Sequence, residues 1–80
     1  GEVVMIFQDR GGRPLEGLEI AGRLERPATQ AGRVTLRFAE SAPGRYVAPA
    51  GRLEGAWDLT VEARGPSGGA FQAERRLTWP

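Results

Sequence analysis

The sequence predicts an all-β fold, a small antiparallel sandwich. Three observations lead there. Apolar residues recur mostly at every second position, the period of strands with one buried face. The 12 glycines and 6 prolines cluster between these apolar runs and divide the chain into short elements. No segment carries a convincing amphipathic helical repeat.

The first run, Glu2 to Gln8, contains Val3, Val4, Met5, Ile6 and Phe7. Because it is apolar on both faces, periodicity does not fix its orientation. The segment "DRGGRP" (Asp9–Pro14) follows as a turn. A second strand reaches about Arg26, with Leu18, Ile20, Gly22 and Leu24 alternating with Glu19, Arg23 and Glu25. After a loop, "PATQAG" (Pro27–Gly32), a third strand carries Val34, Leu36 and Phe38 on one face. "SAPG" (Ser41–Gly44) reads as a turn, and "RYVA" as a short strand placing Tyr46 and Ala48 together.

"PAGRLEG" (Pro49–Gly55) connects to the last hairpin, with Leu53 positioned to plug the end of the core. In that hairpin Trp57, Leu59, Val61 and Ala63 point one way, and Asp58, Thr60, Glu62 and Arg64 the other. "GPSGG" turns the chain, and Phe71, Ala73, Leu77 and Trp79 continue the apolar face. The expected core is therefore Leu36, Phe38, Tyr46, Trp57, Leu59, Val61 and Phe71. Arg75 falls on the inward side of this alternation. Either a bulge, or a position at the sheet end from which its head reaches water, accounts for it; the alternative is an anion or partner contact. Trp79, next to the terminus, is a second candidate contact. Six or seven such strands, with turn signals about every ten residues, make the expected architecture an immunoglobulin-like β-sandwich.

Eighty residues form one domain, spanning 1–80. A chain of this size buries only about 60–65% of the surface its unfolded form exposes, so its core must be simple and continuous. Net charge is +1, too small to create a field that gathers nucleic acid or anionic lipid. The 11 basic residues are all arginine, whose planar fork pairs with carboxylates, so Arg–Asp/Glu contacts should lace the surface. A genome-wide composition bias equally accounts for the missing lysine. No apolar run approaches the roughly 20 residues of a membrane span, and no signal peptide is present. The opening "GEVVMIFQD" starts inside a strand, which suggests the soluble part of a longer, membrane-anchored protein.

Histidine and cysteine are both absent. That removes the usual neutral-pH general base, the Ser-His-Asp relay and any thiol nucleophile, and it precludes a disulfide. Ser41 and Ser67 lie in turns where local hydrogen bonding is sufficient reason for them. The carboxylate pairs Glu16 with Glu19 and Asp58 with Glu62 read as surface ion-pairing groups. No catalytic residue is expected. No metal ligand set is expected either: Met5 is the only thioether, inside the most apolar strand, and "DRGG" lacks the alternating carboxylates of a calcium loop. The glycines sit in hairpin turns and form no phosphate cradle, and the arginines are interleaved with acids. Neither a cofactor nor nucleic acid is therefore expected.

The order of features resembles the soluble domain of the FixH family over nearly the whole chain. "DRGGRPLEG", "LEIAGRLERPAT", "TLRFAESAPGRYVA", "GAWDLTVEARG" and "FQAERRLTW" carry the resemblance, with Gly44, Tyr46, Gly55 and Trp57 matching its pattern as structural positions. The resemblance implies an extracytoplasmic β-sandwich at the periplasmic face of the bacterial inner membrane, tethered by an anchor expected outside these 80 residues. It also implies a part in assembling a cbb-type cytochrome c oxidase alongside a copper-transporting ATPase. With no cysteine or histidine, the domain would act there through protein contacts and not as a copper carrier. The rival expectation is a generic immunoglobulin-like binding or adhesion domain that recognises a protein or a glycan.

Overall fold

A computed structural model of the chain describes residues 1–27, 32–66 and 68–80. Its strands are β1 (Glu2–Ile6), β2 (Glu19–Glu25), β3 (Arg33–Arg37), β4 (Ala39–Ala42), β5 (Arg45–Pro49), β6 (Gly55–Arg64) and β7 (Ala70–Trp79). They form two antiparallel sheets, in the orders β1-β5-β4 and β3-β2-β6-β7. Most of the loop expected at 27–32, and Ser67 within the hairpin turn, lie outside the described residues.

The alternation in β6 translates directly into burial. Trp57, Leu59, Val61 and Ala63 are buried, while Asp58, Thr60 and Glu62 keep contact with solvent. Leu24 from β2, Leu36 from β3, and Tyr46 and Ala48 from β5 complete the inner layer, each at most 1% exposed. Each Leu- or Val-sized side chain so buried contributes about 1.5–3 kcal/mol. Phe38, Leu53, Met5, Leu77 and Trp79 are half-buried and pack against this cluster.

Strand β1 takes its orientation from its partner. Val3 lies opposite Ala48 and Met5 opposite Tyr46, so these two turn inward, while Val4 and Ile6 point outward. β4 is a departure from the expected turn at Ser41–Gly44. Ala39, Glu40 and Ala42 pair with β5 across a register irregularity, and only Pro43–Gly44 turn. All four β4 residues are exposed, so no apolar alternation marks the strand.

Phe38 alone separates β3 from β4, so the chain passes from one sheet to the other along that side and closes it. In the constant-type immunoglobulin arrangement the second strand joins the first and fifth. Here β2 lies between β3 and β6 in the larger sheet, and β1 pairs with β5 alone.

Tyr46 fastens the long connection between β1 and β2. Its hydroxyl donates to the Leu15 carbonyl oxygen (2.7 Å) and accepts from the Leu18 amide (3.1 Å). The Glu40 carboxylate adds a second clamp, accepting from the Gly17 and Gly44 amides, each at 3.1 Å. Replacing Tyr46 with Phe keeps the buried ring but removes both hydroxyl bonds and is expected to cost about 1–3 kcal/mol. Urea denaturation would measure the loss, and faster exchange of the Leu18 amide would localise it; unchanged stability and exchange would contradict this role.

Candidate functional site

The side of the sandwich opposite the β3–β4 crossing is open. Among the described residues β1 hydrogen-bonds only with β5, and β7 only with β6, so each leaves one backbone edge free there. Between these edges runs a lateral cleft of about 890 Å³. Its walls come from β1, from the Phe7–Leu18 connection, and from the inward row of β7 with Leu59 and Ala63 beneath.

The apolar surface left uncovered in the described residues gathers here. Leu15 (37% exposed) and Phe71 (52%) line the cleft, and Val4 (43%) and Ile6 (66%), on the outward face of β1, border its edge. Isolated surface hydrophobics are ordinary, whereas these four are gathered around one concave site. Phe7 narrows one end, its ring standing edge-on to Phe71 (5.8 Å between centroids) and to Tyr46 (5.7 Å).

Phe71 thus departs from its expected place in the core. Alternation puts it on the inner face, but β7 is an edge strand that the smaller sheet does not cover there. Of the other expected core residues, Leu36, Tyr46, Trp57, Leu59 and Val61 are buried and Phe38 half-buried.

Arg75 lies on the cleft's rim. The β6–β7 ladder runs without interruption from Gly55↔Trp79 to Arg64↔Ala70, with Arg75 opposite Leu59. A bulge does not account for the residue: it is a regular inward position in mid-strand, on the strand that ends the sheet. Its side chain is exposed and makes no ion pair with the described residues. Trp79, on the same row, is half-buried against the core cluster beside Gly1 and does not line the cleft. The two candidate contacts of β7 therefore have separate surroundings.

The outer face of the larger sheet is built differently. Arg23 and Arg33 both bond Glu25, at 2.7 and 3.2 Å, and Arg76 bonds Asp58 at 3.0 Å. Glu25 and Asp58 sit directly opposite each other, so these arginines offset a like-charge pair. The Arg23 hydrogen bond, then that of Arg33, holds the Glu25 carboxyl below the usual carboxylate range. Glu62 accepts from the Gln72 amide at 2.9 Å. The Asp58/Glu62 pair is thus occupied by surface partners.

Among the described residues no three His, Cys, Asp or Glu side chains converge as metal ligands. No helix there is long and apolar enough to cross a membrane. The cleft offers apolar surface, two backbone edges and two charged side chains, Arg75 and Glu16, a combination suited to holding a polypeptide. The sequence signals for it were Arg75 out of pattern and β1 apolar on both faces; Leu15, in a connection, carried none.

Neither a curated protein nor a solved structure matches the chain. The model of the FixH family matches residues 1–78.

Proposed function

The chain belongs to the FixH family, and from that premise we propose that it is a non-catalytic accessory domain at the periplasmic face of the bacterial inner membrane. In this reading it aids assembly of a cbb-type cytochrome c oxidase by holding protein partners, either oxidase subunits or a copper-transporting ATPase. Copper is then cargo of the assembly and not a resident ion. The chain has no histidine or cysteine, and its one thioether, Met5, packs half-buried against the core. One observation carries the protein-contact role: the exposed large hydrophobics converge on a cleft flanked by free strand edges.

A pull-down from bacterial membranes tests the reading, using the domain in its full-length setting and a bait lacking these residues as control. Oxidase subunits or the copper ATPase should appear only when the domain is present. Ile6→Glu, at a position already 66% exposed, should leave the fold within about 0.5 kcal/mol of its stability and abolish that recovery. Recovery of neither partner by a folded bait would reject the oxidase role, and binding to a glycan array instead would favour an adhesion domain.

A further inference from the structure

We propose that the free edge of β7 is an acceptor for one extended strand of a partner protein, and that Arg75 selects strands carrying a carboxylate. The inference rests on the reading of the domain as a protein-contact module and specifies what the contact is.

β7 is ten residues long, regularly paired on one side and, among the described residues, unpaired on the other. Its open side presents backbone N–H and C=O groups that an extended chain can satisfy, which a helix, with its own groups already paired, cannot. A strand added there would continue the larger sheet, antiparallel like the other pairs of the fold. Its alternate side chains would enter the cleft opposite Phe71, Ala73, Arg75 and Leu77, and the intervening ones would lie beside Gln72, Glu74 and Arg76. The matching partner is therefore apolar at every second residue, with one Asp or Glu replacing an apolar residue where it meets Arg75.

Charge complementarity also argues against a second copy as the occupant. The inward row of β7 is Phe71, Ala73, Arg75, Leu77 and Trp79 and contains no carboxylate, so pairing β7 with β7 leaves both arginines unmatched. An inward-pointing charge is a recognised device against edge-to-edge self-association. Arg75 thus disfavours identical edges and admits acidic ones.

The test uses the monomeric domain and a blocked peptide, Val-Thr-Glu-Lys-Val-Thr-Leu, in which Val, Glu, Val and Leu would face Leu77, Arg75, Ala73 and Phe71. Binding should slow amide exchange within residues 70–79. Lys in place of the peptide's Glu should weaken it about five- to tenfold, from lost attraction and added repulsion. Arg75→Glu should reverse that order, and Arg75→Gln, should the reversal variant not fold, should erase the discrimination. Equal affinity for both peptides, protection confined to β1, or self-association of the unmodified domain through β7 would each overturn the proposal. Discrimination without oxidase in the pull-down would uphold the acceptor edge and remove only the oxidase as its source. Oxidase recovery without any peptide protection would overturn the edge alone.

Discussion

Replacing Trp57 with alanine is expected to remove about 3–5 kcal/mol of stability. A domain of this length has about 4–12 kcal/mol in total, so the variant should be largely unfolded or close to it. The indole is only 5% exposed and sits in β6, the strand that joins β2 to β7. Truncation removes its packing in the core and leaves a cavity that the neighbouring strands can fill only in part. It also removes two specific contacts. The indole Nε1 donates to the Glu54 carbonyl oxygen at 3.1 Å, and the Arg26 guanidinium lies 4.3 Å from the ring centroid. Arg26 is oriented there by donating to the Ala56 carbonyl oxygen at 3.3 Å. Trp57→Phe keeps much of the volume and should cost less than the alanine change. Urea denaturation followed by circular dichroism measures both. An alanine variant within about 1 kcal/mol of the parent would show that the core does not depend on this ring.

Gly44→Ala should cost about 3–5 kcal/mol, adding backbone strain to overpacking. Gly44 has φ +75°, and an added Cβ would lie 2.7 Å from Pro14 Cβ and 2.8 Å from the Phe7 carbonyl oxygen. The residue cannot readily back away. Its carbonyl oxygen accepts from the Phe7 amide at 2.9 Å, and its amide donates to Glu40 at 3.1 Å. Gly51 supplies the control, with φ +74° and nothing within 4 Å of a new Cβ. Gly51→Ala should show the backbone cost alone, about 1–2 kcal/mol. Thermal denaturation of the two variants separates the contributions, and equal losses would show that the contact with the Phe7–Pro14 segment carries no cost. Because Phe7 stands against Phe71 across the cleft, displacing this segment should also loosen that end of the candidate site.

Part of this architecture was legible in the residues because strand alternation is a local property. Trp57, Leu59 and Val61 alternate with Asp58, Thr60 and Glu62, and a chain with that pattern has one stable way to lie half-buried in a sheet. The hairpin of β6 and β7, the inward placing of Tyr46 and Ala48, and the sandwich class follow from the same rule. The chain also contains no histidine or cysteine, so neither a Ser-His-Asp relay nor a thiolate ligand is available to it.

Other features were settled only by pairing between distant residues. Val3, Val4, Met5 and Ile6 are all apolar, so β1 acquired an inside and an outside only through Ala48 and Tyr46 opposite. β4 has no alternation to read, and its pairing with β5 creates it. Alternation likewise set which way Phe71 and Arg75 point but not what covers them. That depended on β1 and β7 both being edge strands on the same open side of the sandwich. The composition and period-2 pattern of the sequence by itself determined a non-helical sandwich with its main core residues; sheet order, which only tertiary structure decides, left the cleft between β1 and β7 open. The reason is physical: a side chain's direction is fixed by its own backbone, whereas its burial requires another element to lie across it.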